Sequence, residues 1–164
     1  MQQGMVLGTD EGQMVWLRGL GVRFLIDGQQ TGGQFSLVEH VLQPRALGSP
    51  LHTHQDEDEI SYVVEGEVGV QIGERVEIAR PGAVVFKPRG IPHAFWNPGD
   101  TTARFLEVIT PAGFEGYFSE AAQIFAGDGP PDIDRLLALL GQYRLTMELE
   151  SIPRLVQEHG LAGA

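Results

Sequence analysis

The sequence predicts an all-β protein, a sandwich or a barrel, followed by a short C-terminal helical extension. Before Pro111, short runs of β-favouring residues alternate with turns rich in Gly, Pro and Asp. Beyond Pro111, apolar residues recur at helical spacing instead. The 164 residues are enough for one domain with a substantial core and too few for two ordinary domains.

Nine short strands are expected before Pro111. Gly66-Glu67 and Pro81-Gly82 are typical turn signals between neighbouring runs. A series of short strands with close turns is typical of all-β barrels and sandwiches. In chain order, the predicted strands are 15–20, 22–26, 35–42, 60–65, 68–72, 75–78, 83–87, 93–97 and 104–110.

Three helices are expected after Pro111. The pattern predicts an amphipathic helix over 114–125, a second helix capped by Asp132, and a third that begins at the cap Ser151 with Pro153 in its first turn. This segment is too small to form its own domain. We therefore expect a β-barrel domain over 1–112 and a helical extension over 113–164 that packs on the barrel.

Composition excludes several classes of function. Lys plus Arg total 11 and Asp plus Glu total 22, so the net charge is −11, which disfavours nonspecific binding to nucleic acid or anionic lipid. No apolar run approaches the roughly 20 residues of a membrane helix, and residues 1–5 do not resemble the start of a secretory signal. We expect a cytoplasmic protein that binds a small molecule, with no nucleic-acid or membrane partner. Because the chain has no cysteine, protein ligands to a metal must be His, Asp or Glu.

Two segments place histidines in a context typical of metal ligands. His52 and His54 are two residues apart, so on a strand their imidazoles point to one side. Glu59 opens the next strand, and if it points inward its carboxylate faces both rings. His93 lies on a third strand, on the same face as Phe95. Three imidazoles and one carboxylate suit Fe, Mn, Ni, Co, Cu or Zn, and the sequence does not choose among these metals.

The remaining histidines lack such a context. His40 lies in the predicted strand 35–42 and His159 in the third helix, and we interpret both as structural or surface residues. A lone strand histidine is usually a surface or hydrogen-bonded residue, and the acidic run 56–59 alone would indicate a solvated turn. The His-x-His pair, the carboxylate and the third histidine together favour a metal site.

These residues resemble the two sequence motifs of the cupin superfamily. The first motif places a His-x-His pair before a Glu and a Gly, and it is matched by His52, His54, Glu59 and Gly66, although Ala46 stands in the place of its opening glycine. The second motif is matched at every position. Its residues here are Gly82, Pro88, Gly90, His93 and Asn97.

The resemblance implies the cupin double-stranded β-helix, a jelly-roll barrel that holds one divalent transition metal ion inside one end. By position, the metal ligands are His52, His54, Glu59 and His93. The glycines of the two motifs become turn residues, and Gly66 is one at which a positive φ is expected.

Three segments are similar in sequence to small bacterial cupins of the quercetin 2,3-dioxygenase type. They are 35–40, 52–59 and 110–118. That resemblance implies a metal-dependent dioxygenase that cleaves the ring of a flavonol-like aromatic enol. Glu59 is then both a ligand and the base that takes the substrate hydroxyl proton. For a neutral or aromatic substrate we expect an apolar pocket, and the candidate lining residues are Phe86, Phe95 and Phe105.

Two alternatives stay open because cupins carry many functions. One is a non-catalytic metal- or ligand-binding module, and the other is a cupin isomerase or epimerase that acts on a small sugar. The acidic charge disfavours phosphorylated substrates without excluding them. We also expect a homodimer, because the outward residues Ile60, Tyr62 and Val64 need a covering surface that the C-terminal helices or a second subunit can provide.

Overall fold

The computed structural model describes residues 4–127 and 129–162, so residues 1–3, which contribute to the expectation about the signal, lie outside the described residues. The described residues form a mostly β fold, as predicted from the sequence. The elements are β1 (Met14–Leu17), β2 (Leu20–Ile26), α1 (Gly28–Thr31), β3 (Ser36–Leu42), β4 (Leu47–His54), β5 (Asp58–Glu65), β6 (Val68–Ile72), β7 (Arg75–Ala79), β8 (Val84–Lys87), β9 (His93–Trp96), β10 (Ala103–Thr110), α2 (Glu115–Ile124), α3 (Ile133–Gln142), β11 (Leu145–Glu148) and α4 (Ser151–His159).

The strands form two antiparallel sheets. One sheet has the order β1-β2-β3-β10-β5-β8, and the other has the order β11-β4-β9-β6-β7. Inward residues of both sheets share one core, in which Val38 and Phe105 come from the first sheet and Val70 and Phe95 from the second. Burial alternates along β10 without a break, as expected for a strand with one face toward the core.

The nine predicted strands are all present within a few residues of their expected ends. The structure adds α1 and β11, which were not predicted, and it shows that the strand assumed at His52 and His54, which was not among the nine, begins at Leu47. The positive φ expected at Gly66 is present, at 72°. A Cβ at Gly66 would lie 2.8 Å from the Ala103 Cα, so both conformation and space require glycine there.

The three predicted helices are also present, with one correction. Asp132 caps α3 by accepting a hydrogen bond from the Arg135 backbone N–H, as predicted. Ser151 is not the cap of α4, because it lies inside the helix and its Oγ accepts a hydrogen bond from the Leu51 backbone N–H instead. The hydroxyl therefore ties α4 to β4 rather than closing the helix end.

The C-terminal segment packs on the barrel. β11 pairs with β4 across the register Leu145↔His54 to Glu148↔Leu51, which extends the second sheet. In α4, Leu155 is fully buried against a small cluster that includes Trp96. Among the described residues, no helix is both long and apolar enough to cross a membrane.

Candidate metal centre

Three strands bring the four predicted ligands together inside the barrel. His52 and His54 lie on β4, two residues apart, and both side chains face the interior. β9 pairs with β4 so that His93 lies opposite His52. Glu59 enters from β5 of the other sheet and is 2% exposed. The predicted alternation of β5 is correct, since Glu59, Ser61 and Val63 are buried and Ile60, Tyr62 and Val64 are exposed.

The ligand atoms converge on one point. One nitrogen or oxygen atom from each of the four residues lies within 4.8 Å of the others. The His93 Nε2 lies 3.0 Å from a Glu59 carboxylate oxygen, and the His54 Nε2 lies 3.4 Å from the other oxygen. The His52 and His93 ring centroids are 4.2 Å apart. Such a cluster of imidazoles and a carboxylate suits a divalent transition metal.

The hydrogen bonds on the far side of two of the three rings favour metal binding through Nε2. The Nδ1 of His52 lies 2.9 Å from the Pro50 carbonyl, and the Nδ1 of His93 lies 3.0 Å from the Ile91 carbonyl. Because a carbonyl only accepts, each Nδ1 must donate, which leaves each Nε2 lone pair directed toward the cluster. This is the ring orientation that metal-binding histidines need.

Two further observations show that a cation fits this cluster. Among the described residues, the buried Nε2 of His54 has no hydrogen-bond partner. A neutral imidazole carries a single N–H, so His93 cannot donate to both Ile91 and Glu59 at once. A metal ion among His54, His93 and Glu59 satisfies all three residues. The donor set does not identify the metal.

A lysine behind the cluster controls the charge of Glu59. The Lys87 side chain is 1% exposed, and its Nζ lies 2.9 Å from a Glu59 oxygen. Burial alone raises the pKa of Glu59, but the positive charge of Lys87 and the neighbouring imidazoles outweigh burial and hold that pKa well below its usual range. Glu59 is therefore ionised. Burial together with the neighbouring imidazoles His93 and His54 lowers the pKa of His52, which keeps that ring neutral and able to bind a metal.

Lys87 also belongs to a buried polar network that the sequence analysis missed. Its ammonium donates to Glu107, which also accepts from the Ser61 hydroxyl and lies 3.1 Å from the His40 Nε2. Burial lowers the pKa of Lys87, and the two carboxylates raise it further than burial lowers it, so the lysine is charged. A signal was present in the sequence, because Lys87 and Glu107 interrupt the apolar inward faces of β8 and β10.

The cluster opens into a cavity of about 520 Å³. Apolar side chains dominate its walls, and five of the lining residues are aromatic, four of them from the C-terminal segment. Among the described residues, Arg18 is the one arginine or lysine that lines it, and its guanidinium already donates to the Gly129 carbonyl and lies over the Phe125 ring. The aromatic lining residues are Phe95, Phe114, Tyr117, Phe118 and Phe125.

The three predicted pocket phenylalanines have three different positions. Phe95 lines the cavity. Phe105 is buried behind it, with its ring 4.9 Å from that of His40. The prediction for Phe86 is wrong, because Phe86 is 55% exposed on the outer face of β8, where alternation turns Val85 and Lys87 inward instead. The C-terminal aromatics were missed because the helical pattern of 114–125 does not indicate which end of the barrel it covers.

Comparison with known proteins identifies the family. A family model described as "Cupin domain" matches residues 38–109. The polyketide cyclase RemF from Streptomyces resistomycificus is 31% identical over 66% of this chain and 80% of its own, with a TM-score of 0.58. The chain belongs to the cupin superfamily. A sequence comparison with functionally curated proteins found no match.

Two other cupin structures have names that point to different reactions. A predicted oxalate decarboxylase from Thermotoga maritima is 25% identical over 65% of this chain and 99% of its own, with a TM-score of 0.60. A sugar phosphate isomerase from Silicibacter pomeroyi is 27% identical over 65% of this chain and 75% of its own, with a TM-score of 0.58. The cupin fold therefore does not select the reaction.

Proposed function

We propose that this cupin is a metal-dependent enzyme that acts on a neutral aromatic substrate carrying an enol or phenol oxygen. The favoured reaction is a dioxygenase reaction of the quercetinase type. The observation that carries the proposal is the position of the ligand cluster at the wall of a cavity that is lined mainly by apolar side chains, five of them aromatic. Such a cavity binds a flat apolar molecule and presents it to the cluster.

The cavity favours an uncharged substrate over a phosphate or a carboxylate. Recognition of an anionic group needs cations near it, and among the described residues Arg18 is the one lysine or arginine that lines the cavity; its guanidinium donates to the Gly129 carbonyl and lies over the Phe125 ring. The Lys87 charge is taken up by Glu59 and Glu107. The net charge of −11 also disfavours the binding of anionic substrates, because the protein repels them. This weighs against the phosphate named for the isomerase, and a carboxylate would find few cations in the cavity besides the metal itself.

The residues of the cluster have distinct roles in this proposal. His52, His54 and His93 hold the metal through Nε2, and the carbonyls behind His52 and His93 fix the orientation of those two rings. When bound, a divalent transition metal supplies a Lewis acid that acidifies a substrate hydroxyl and, if redox-active, supports oxygen chemistry. Glu59 is ionised and accepts the hydroxyl proton. Its low pKa suits a substrate whose hydroxyl has been acidified in this way.

A second candidate is an oxygen-independent reaction on a similar substrate. The likeness to the polyketide cyclase, at 31% identity, favours this possibility. The same cluster and cavity would serve it, because proton removal by Glu59 needs no oxidant. A non-catalytic metal-binding module is the remaining alternative.

Metal analysis of the purified protein, followed by an oxygen electrode assay with flavonols, separates these candidates. A dioxygenase binds about one transition metal ion per chain and consumes oxygen only when both metal and flavonol are present. Bound metal with loss of the flavonol but no oxygen uptake favours the second candidate. Bound metal with no conversion of any aromatic enol contradicts both enzyme functions and leaves the binding module.

A further inference from the structure

His40 is a buried polar residue of the cavity wall to which the proposed function assigns no role. It lies on β3, is fully buried, and lines the cavity together with three residues of the metal cluster. Three aromatic rings surround it at centroid distances of 4.9 to 5.8 Å. These rings are Phe95, Phe105 and Phe118. An imidazole that lies among aromatic rings, beside the space where a substrate would bind, is suited to form a hydrogen bond with a polar group of that substrate.

The neighbours of His40 determine which of its nitrogens is free. The Nε2 lies 3.1 Å from an oxygen of Glu107, which is held as an anion by Lys87 and accepts a further hydrogen bond from Ser61. A carboxylate anion only accepts, so the Nε2 of His40 donates to it. In the neutral imidazole, the Nδ1 then keeps its lone pair and is an acceptor.

The Nδ1 of His40 is a buried acceptor without a partner. No hydrogen bond reaches it from any of the described residues. A buried polar atom that stays unpaired destabilises the protein, and most such atoms in native structures have a partner. His40 and Glu107 both line the cavity, so a ligand that fills this part of it can supply the missing donor.

We propose that His40 is a specificity-determining residue that accepts a hydrogen bond from a hydroxyl group of the bound substrate. The substrate class is then narrowed to aromatic molecules that carry a hydroxyl donor in addition to the oxygen directed to the metal cluster. This inference rests on the proposed function for the location of the substrate. The pair of His40 and Glu107 is a polar pair beside three aromatic rings, and an analogue without the hydroxyl leaves the Nδ1 unpaired.

The test compares two small probes that differ by one hydroxyl group, 2-naphthol and naphthalene. Their dissociation constants are measured by fluorescence on the full-length protein, both metal-loaded and after treatment with a chelator. The variants are His40→Gln and His40→Asn. The Gln amide can replace the Nε2 donor toward Glu107 but offers nothing at the Nδ1 position, whereas the Asn side chain places a polar atom near the Nδ1 position and loses contact with Glu107.

We expect the wild-type protein to prefer 2-naphthol by about tenfold, as one additional hydrogen bond to a buried acceptor predicts. In the chelated protein, where no metal binds the hydroxyl oxygen, His40→Gln should abolish that preference while naphthalene affinity stays unchanged, and the metal content before chelation should equal that of the wild type. His40→Asn should keep part of the preference. An undiminished preference in His40→Gln, or no preference in the wild type, overturns the inference, because a merely structural role is rescued by Gln.

The outcome is separable from that of the proposed function. A hydroxyl preference that depends on His40, without any flavonol turnover, contradicts the dioxygenase and supports the assignment of His40. Oxygen uptake with flavonols, together with a hydroxyl preference that is independent of His40, supports the dioxygenase and contradicts the assignment of His40.

Discussion

At the scale of single residues, Lys87 is the side chain on which the charges of the site depend. It is fully buried and contacts two carboxylates, of which Glu59 faces the metal cluster and Glu107 faces His40. Removal of one partner from a buried ion pair is strongly destabilising because the remaining charge is left uncompensated. Lys87 therefore links the stability of the barrel to the ionisation of its metal ligand.

Replacement of Lys87 by methionine tests this link. We expect Lys87→Met to lower the free energy of unfolding by about 3–5 kcal/mol, since two buried carboxylates lose their cation. Urea unfolding of the chelated protein measures the change. The double variant Lys87→Met with Glu107→Gln should recover part of the loss, because only one carboxylate then stays charged. A single variant as stable as the wild type would contradict the described network.

Loss of a histidine ligand should reduce metal binding selectively. We expect His54→Ala and His93→Ala to weaken metal affinity by more than the roughly 10- to 100-fold that loss of an outer-shell partner causes. His159→Ala is the control, because His159 stacks on Trp96 at a centroid distance of 3.9 Å, outside the cluster. Elemental analysis after dialysis gives the metal content. Equal metal content in all three variants would contradict the proposed metal site.

The two roles of Glu59 can be separated by Glu59→Gln. The amide oxygen can still contact a metal, but the side chain can no longer take up a proton, so we expect partial metal retention and a 10²- to 10⁴-fold lower turnover. The measurement is kcat at matched metal occupancy. Full activity in this variant would exclude Glu59 as the base.

The cluster of three histidines and Glu59 could be predicted from the sequence, whereas the residues behind it could not. His52 and His54 carry their own signal, because their spacing fixes a shared face on a strand. Lys87 and Glu107 lie 20 residues apart on strands that both flank β5. Their contact therefore depends on strand order, which spacing along the chain does not reveal. An inward charge in an apolar strand indicated that a partner exists, without identifying it.

At the scale of elements, the C-terminal segment is a structural part of the barrel. β11 belongs to the second sheet, and Phe114 at the start of α2, Tyr117 of α2 and Leu136 of α3 contribute to the core and to the cavity wall. β11 was not predicted because four residues give too short a period-2 pattern, and because its pairing with β4 joins residues about 90 positions apart. β4 was missing from the predicted strands because it contains Pro50, which usually argues against a strand interior.

Two neighbouring leucines of α3 test how the helix contributes. Leu136 is 2% exposed and lines the cavity, while Leu137 is 55% exposed. We expect Leu136→Ala to lower the free energy of unfolding by about 2–5 kcal/mol through the lost burial and the cavity it leaves. Leu137→Ala should change it by less than about 0.5 kcal/mol. Urea titration of both variants gives the comparison, and equal effects would mean that α3 is not packed as described.

At the scale of the whole molecule, the outer face of the six-stranded sheet has an apolar surface that no described element covers. On β5, Ile60 and Tyr62 are 38% and 47% exposed. They pair across the strands with Phe86 and Val84 of β8, which are 55% and 65% exposed. β8 is also the edge of that sheet, so its outer backbone groups are unpaired within the sheet. The C-terminal helices pack elsewhere, so they do not supply the covering surface, and the homodimer expected from the sequence stays a prediction.

The predicted homodimer can be tested on this surface. We propose that two copies associate through it, and we expect Phe86→Glu to shift sedimentation from dimer to monomer because a charge would be buried at the contact. Val76→Glu is the matched control, since Val76 is 48% exposed on β7 of the other sheet. Because each copy carries a net charge of −11, salt should strengthen the association by screening repulsion. A wild-type protein that is monomeric at every concentration and salt level would contradict the dimer, and dissociation by Val76→Glu alone would place the contact on the other sheet.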